Sequence, residues 1–119
     1  MKNRLANCHN RFQGAYKKVL CVCSAGLLRS PTAALVLSQE PFNFNTRAAG
    51  LSSDHALIVT DEVLLEWADE IVCMEAKQEI ILREMTNKPI ICLEIPDIYD
   101  YRNPELMTQI SKRYSEHHT

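Results

Sequence analysis

From about residue 17 onward, the chain alternates short apolar runs with longer stretches in which apolar and polar residues mix. Short apolar runs bounded by polar or turn-forming residues are typical of strands that are buried on both faces. Three such runs predict strands over Lys18 to Cys23, Glu70 to Met74, and Pro89 to Leu93. A further short strand is predicted over Asn45 to Ala49, ended by Gly50.

The mixed stretches between these runs carry helical spacing or helix-start signals. In the second of them, a capping-style start at Thr60-Asp61-Glu62 precedes Val63, Leu64 and Trp67, which we expect to face inward. The mixed stretches predict helices over Pro31 to Gln39, from Thr60-Asp61-Glu62 to about Ala68, from Ala76 to about Met85, and from Asn103-Pro104-Glu105 through about Tyr114.

Alternating strands and helices of this size predict an α/β fold, a small three-layer sandwich with a four-stranded parallel sheet and helices on both faces. In such sheets the ligand crevice lies beyond the carboxyl ends of the strands. Residues 1–15 lack periodicity, and we expect a flexible N-terminal arm there. Residues 16–119 are expected to form one domain.

Composition and charge narrow the function classes. The 119 residues are 46% hydrophobic and 24% charged, which suits a globular core. The formal net charge of −2 gives no basic field for nucleic acid or membrane binding. No signal peptide or membrane-spanning run is evident. The five cysteines are an odd number without metal-ligand spacing, so we expect a reduced, cytoplasmic protein without metal or cofactor.

The stretch Cys23-Ser24-Ala25-Gly26-Leu27-Leu28-Arg29-Ser30 is the strongest chemical signal in the chain. It follows a predicted strand and precedes a predicted helix, for which Ser30 is a suitable N-cap and Pro31 a suitable first residue. Backbone N–H groups at a helix N-terminus attract an oxyanion and favour a thiolate. The stretch therefore predicts an anion-binding loop that holds a nucleophilic cysteine.

Each residue type in this loop has a chemical use. A Cys23 thiolate could attack phosphorus, and the planar fork of Arg29 could hold two phosphate oxygens. Ser30 could donate its hydroxyl to the thiolate, and Gly26 could supply a sharp turn. The simpler alternative is that Cys23 is an inert, buried cysteine and Arg29 a surface charge.

The chain resembles the low-molecular-weight protein tyrosine phosphatases and, more closely, short phosphatase-like proteins related to them. The resemblance spans about residues 17 to 112. It rests on the segments Cys23 to Ala33, which is similar to the family's phosphate loop, Ala48-Ala49-Gly50, Trp67 to Met74, and Ile95-Pro96-Asp97-Ile98-Tyr99, which is similar to the family's acid loop.

This resemblance implies a site. Asp97 matches the general acid of the family, with Asp100 as a less favoured alternative. Tyr99 and Tyr101 could wall the pocket, or one could pack on the core while the other is solvated. The resemblance implies that the catalytic residues are Cys23, Arg29 and Asp97, that the substrate-binding residues are Ser24, Ala25, Gly26, Leu27, Leu28, Ser30 and Tyr99, and that no metal takes part.

The sequence also departs from the family pattern. Ala25-Gly26 stands where the family loop has Gly-Asn, and Leu28 replaces a protective second cysteine, for which Cys21 is a possible substitute. The segment after Gly50 is short. His55 could support the loop, as the family histidine does, or lie on the surface.

Three functions remain open at this stage. The first is a phosphomonoesterase that acts on phosphotyrosine proteins or aryl phosphates through a phosphocysteine and that also binds phosphate or sulfate. The resemblance favours aryl phosphates over phosphoarginine, because phosphoarginine-selective relatives carry a smaller polar residue at the position of Leu27. The second is a non-catalytic module that binds phosphate or phosphoproteins. The third, least favoured, is an arsenate reductase, because Cys73 and Cys92 lie on predicted strands and suit a core better than a redox relay.

Overall fold

A four-stranded parallel sheet forms the centre of the molecule. The computed structural model describes residues 17–23, 29–51, 60–95 and 103–117, with the side chains of Arg29 and Ser30 outside that description. In chain order the elements are β1 (Lys18–Cys23), α1 (Arg29–Leu37), β2 (Asn45–Gly50), α2 (Glu62–Trp67), β3 (Glu70–Cys73), α3 (Ala76–Met85), β4 (Ile90–Cys92) and α4 (Pro104–His117).

The strand order is β2-β1-β3-β4, so the chain reverses direction across the sheet at the boundary between β1 and β3. From β1 the chain steps outward to β2, and the two later strands are added on the opposite side. Pairing is in continuous register, with Cys23 opposite Gly50 and Val22 opposite Cys73. In open α/β sheets, ligands bind beyond the carboxyl ends of the strands at such a reversal.

The alternation of side chains along β1 divides the core into two layers. Val19, Cys21 and Cys23 pack with helices α1 and α4 on one face of the sheet. Leu20 and Val22 pack with helices α2 and α3 on the other face. Because both faces of the sheet are covered, its two central strands, β1 and β3, are mostly apolar along their length. The predicted three-layer α/β sandwich is confirmed.

Helix ends explain why several elements begin where they do. The Oδ1 atom of Asp61 accepts a hydrogen bond from the backbone N–H of Leu64 at 2.9 Å, so Asp61 is the N-cap of α2, within the start predicted over Thr60-Asp61-Glu62. Asn103 accepts from the N–H of Glu105 at 2.8 Å, and Pro104 is the first residue of α4, where no N–H partner is needed.

Two predictions about helices were wrong. Helix α1 begins at Arg29 and ends at Leu37, so Ser30 is its second residue and not its N-cap, and Pro31 is its third. Proline is tolerated there because the N–H groups of a first turn have no partner within the helix. Val63, predicted to face inward, is 61% exposed, because α2 buries Leu64 and Leu65 instead.

The remaining boundaries differ by a few residues. Strand β3 ends at Cys73, β4 covers only Ile90–Cys92, and α4 continues past Tyr114 to His117. The predicted N-terminal arm, residues 1–15, lies outside the described residues. None of the helices in the described part of the chain has the length and apolar character needed to cross a membrane.

Candidate active site at the carboxyl edge of the sheet

Cys23 is the last residue of strand β1, at the carboxyl edge of the sheet. Its backbone carbonyl accepts a hydrogen bond from the N–H of Leu51 at 3.0 Å, and it pairs with Gly50 on β2. Its side chain is 3% exposed and belongs to the core layer formed with α1 and α4. Since β1 borders the point where the chain reverses direction across the sheet, Cys23 lies where this architecture binds ligands.

Helix α1 brings its N-terminus to the same edge. It begins at Arg29 and connects two parallel strands, so it must run back along the sheet from the carboxyl ends towards the amino ends. Small buried residues, Ala33 and Ala34, hold it close to the strands, and the Oγ1 atom of Thr46 donates to the carbonyl of Ala34 at 2.8 Å. The partial positive charge of the helix N-terminus therefore faces the edge where Cys23 lies.

The end of strand β3 is organised by Gln78, a residue that sequence analysis missed. Its buried side-chain oxygen accepts from the backbone N–H groups of Met74 at 2.8 Å and Glu75 at 3.0 Å. Both donors would otherwise be orphaned where the strand turns into α3. The signal was the spacing of Glu75 and Gln78, an N-cap and a third helical residue of the capping-box type.

The segment that leads to the predicted acid begins beside these strand ends. Backbone N–H groups of Leu93 and Ile95 donate to the carbonyls of Cys73 and Met74, both at 2.9 Å. Glu94 between them has φ 57°, a left-handed conformation that is unfavourable by roughly 1–2 kcal/mol for a residue other than glycine. Ile95 is buried in the same core layer as Cys23.

Of the predicted site residues, the structure describes Cys23 in full and the backbone of Arg29 and Ser30. These residues lie at the two ends of the candidate anion loop, one closing β1 and the other two opening α1. The predicted roles of Ser24, Ala25, Gly26, Leu27, Leu28, Asp97 and Tyr99, and the alternatives involving His55, Asp100 and Tyr101, fall on residues outside the described ranges.

The remaining described cysteines lie in the core. Cys73 and Cys92 are register partners on β3 and β4, and burial is the first cause of the raised pKa of both thiols. Cys21 is fully buried on the same face as Cys23, two positions earlier on β1. Across the described ranges, no cluster of three or more histidine, cysteine or acidic residues could hold a metal ion.

Several solved structures have a similar fold. The described architecture matches the YwlE arginine phosphatase of Geobacillus stearothermophilus with a TM-score of 0.63 and 21% identity, over 85% of this chain and 92% of that one. A low-molecular-weight phosphotyrosine phosphatase of Vibrio cholerae matches with a TM-score of 0.64 and 17% identity, over 85% and 95%. This chain has the fold of the low-molecular-weight phosphatases.

A third structure with the same phosphatase fold contains a ligand. Wzb of Vibrio vulnificus, in complex with benzylphosphonate, matches with a TM-score of 0.62 and 18% identity, over 86% of this chain and 94% of that one. The resemblance predicted from the sequence is thus confirmed at the level of the fold. No family model matches the sequence, and no curated protein matches it either.

Proposed function

We propose that this protein is a cysteine-dependent phosphomonoesterase that works through a phosphocysteine intermediate. The observation that carries the proposal is the position of Cys23, which closes strand β1 at the chain reversal while helix α1 opens at Arg29. The Cys-x5-Arg segment thus connects the end of a strand to the N-terminus of a helix. Backbone N–H groups and the helix dipole favour a bound oxyanion at such a position.

The proposed reaction has two displacements at phosphorus. The Cys23 thiolate forms a bond to phosphorus while the bond from phosphorus to the ester oxygen breaks, and the leaving oxygen takes a proton from a carboxylic acid. Water then attacks the phosphocysteine, gives a proton to the same carboxylate, and releases inorganic phosphate and the thiolate. Arg29 would hold two phosphoryl oxygens in both steps.

Asp97 is the acid we propose. It follows Ile95 by two residues, and Ile95 is anchored to the carbonyl of Met74 at the carboxyl end of β3, next to β1. This anchor at the edge of the sheet where Cys23 lies supports the choice of Asp97. Asp100 is three residues further along the chain.

The substrates we propose are aryl phosphates, and phosphotyrosine in proteins above all. Leu27 is apolar in the proposed phosphate loop, and Tyr99 could stack on an aromatic ring. The solved structures of this fold include both arginine and phosphotyrosine phosphatases, so the fold alone does not select between these two substrates.

The first test compares two buried cysteines on the same face of β1. Cys23→Ser should reduce hydrolysis of p-nitrophenyl phosphate to background while phosphate binding, measured by calorimetry, is retained, because the loop amides and Arg29 remain. Cys21→Ser, the matched control, should keep most of the activity, since Cys21 lies two residues before Cys23 on β1 and so further from the carboxyl edge of the sheet. Turnover that survives in Cys23→Ser would rule out the phosphocysteine. A wild-type protein that binds phosphate without turnover would favour a binding module.

The second test identifies the acid by its dependence on the leaving group. Loss of a general acid typically lowers the rate by about 10²–10⁴-fold for a poor leaving group. Asp97→Asn should therefore lose far more kcat/KM on phenyl phosphate than on p-nitrophenyl phosphate, whose phenolate leaves with little help. Asp100→Asn is the matched control and should show no such dependence. A steep dependence in Asp100→Asn with a flat one in Asp97→Asn would reverse the assignment.

A further inference from the structure

The outer surface of helices α2 and α3 is unusually apolar. In the described part of the chain, every large hydrophobic side chain that is clearly exposed belongs to these two helices. They are Val63 at 61%, Ile80 at 66%, Ile81 at 47% and Met85 at 43%. Scattered exposed residues are ordinary, but their concentration on two neighbouring helices marks a surface that something could cover.

A groove of about 670 Å³ runs between these helices. Its walls include Val63, Trp67 and Met85, and its described lining carries two carboxylates, Glu62 and Glu66. The Nζ atom of Lys88 nearby donates to the backbone carbonyls of Glu66 at 2.7 Å and Ala68 at 2.6 Å. It lies on the α2–α3 face, whereas Cys23 packs on the α1–α4 face. The groove is therefore separate from the candidate active site.

An arginine beside the groove has unused hydrogen-bond donors. Arg47 on β2 stacks on the ring of Trp67, with its Cζ atom 4.6 Å from the ring centroid. Its Nε and Nη1 atoms are buried and have no hydrogen-bond partner among the residues that the structure describes. Buried donors without acceptors are unfavourable, so a local rearrangement that brings carbonyl oxygens to them would be stabilising here.

The first sixteen residues of the chain match this surface in charge. They contain Lys2, Arg4 and Arg11 and no acidic residue, and they also contain the apolar residues Leu5 and Phe12. A peptide of this composition offers cations to Glu62 and Glu66, apolar side chains to the exposed wall, and backbone carbonyls to Arg47.

The first sixteen residues also join the described part of the chain close to the groove. The backbone N–H of Lys18 donates to the Oδ2 atom of Asp69 at 3.0 Å, and the carbonyl of Lys18 accepts from the N–H of Asp69 at 2.7 Å. Asp69 follows Trp67 by two residues, so Lys18, two residues after the end of this segment, lies beside the end of α2. Sixteen extended residues reach roughly 50 Å, several times the length of this six-residue helix.

We infer that residues 1–16 dock on the α2–α3 groove of their own chain, with basic side chains on Glu62 and Glu66 and backbone carbonyls near Arg47. The docked segment covers the exposed apolar wall. This inference does not depend on the proposed phosphatase activity.

The test uses the full-length chain and its single tryptophan, Trp67, as a distance reporter. A maleimide nitroxide is attached to Cys8 in a Cys23→Ser background, where the described cysteines that remain are at most 8% exposed, and peptide mass spectrometry confirms the labelled position. Each sample is compared with the same chain before labelling, and a Cys8→Ser chain controls for labelling elsewhere. At low salt we expect the label to quench most of the Trp67 emission.

Charge exchange makes the test specific. Glu62→Lys/Glu66→Lys should restore the emission of the labelled chain to that of the unlabelled chain, and adding Arg4→Glu/Arg11→Glu should bring the quenching back. Glu105→Lys/Glu116→Lys on α4 makes the same charge change on the opposite face and should leave the quenching in place. The inference is overturned if the label never quenches Trp67, if quenching persists in Glu62→Lys/Glu66→Lys, or if it grows with protein concentration, as a second copy in the groove would require.

Discussion

One buried charge cluster lies at the amino edge of the sheet, opposite the candidate site. The hydroxyl of Tyr114 donates to the Oε1 atom of Glu70 at 2.6 Å and accepts from the Nζ atom of Lys17 at 3.0 Å. Lys17 also pairs with Glu70 at 3.3 Å and lies 4.8 Å from the ring centroid of Phe44. Because the Glu70 carboxylate is only 7% exposed, these partners replace its lost hydration.

Removing the hydroxyl of Tyr114 tests how much this cluster contributes to the free energy of unfolding. Tyr114→Phe keeps the ring contacts with Phe42 and Phe44 but deletes the hydrogen bond to the buried carboxylate. Hydrogen bonds to charged groups contribute roughly 1.5–3 kcal/mol, so the free energy of unfolding in urea should fall by that amount at neutral pH.

A hydroxyl elsewhere on the same helix provides the control. The Oγ1 atom of Thr108 donates only to the carbonyl of Pro104 and is exposed to solvent. Thr108→Val should therefore change the free energy of unfolding by no more than about 0.5 kcal/mol. Equal effects of the two substitutions would mean that the Glu70 cluster adds nothing beyond an ordinary surface hydrogen bond.

At the scale of elements, the sequence predicted best where one local signal decides the structure. Strand β1 is apolar on both faces, and helix α3 matches its predicted bounds, Ala76 to Met85. Helix α2 was harder, because its six residues contain Val63, Leu64 and Leu65 in a row, and so short a run has no period that tells the inner side from the outer. Only packing against the sheet selects Leu64 and Leu65.

The candidate site was also predictable only in part. Its position was predictable because Cys23 ends an apolar run and a helix follows, and this order fixes an edge of a parallel sheet. The first residue of α1 was not predictable, because Ser30 and Pro31 suit both the cap and the first turn of a helix. The stacking of Arg47 on Trp67 and the pairing of Tyr114 with Glu70 join residues distant in sequence, so no local pattern could reveal them.

At the scale of the whole molecule, both core layers hold groups that resist ionisation. On the α1–α4 face, burial and the hydrogen bond to Glu70 raise the pKa of Tyr114. On the α2–α3 face, burial raises the pKa of Cys73 and of Cys92. All three groups are neutral in the folded protein at a pH where the unfolded chain begins to lose its protons.

This distribution predicts that the fold loses stability in alkali. A thiol with its ordinary pKa of 9.0 releases its proton in the unfolded chain as the pH rises through that value, while the folded protein keeps it. The unfolded state then binds fewer protons than the folded state, so the free energy of unfolding is constant for these groups well below pH 9 and falls above it. Urea midpoints measured from pH 7 to 10.5 should show this decline.

The slope of the free energy of unfolding against pH separates this effect from a simple loss of packing. Cys73→Ala should lower stability at every pH but flatten the decline above pH 9, because one of the resisting thiols is gone. Leu82→Ala, which truncates a fully buried and non-ionisable neighbour in the same core layer, should lower stability without changing the slope. If the two variants and the wild type decline in parallel, ionisation of Cys73 does not control the alkaline limit. Of the described groups with a raised pKa, Tyr114 and Cys92 would then remain, and combining Tyr114→Phe with Cys92→Ala should remove the decline.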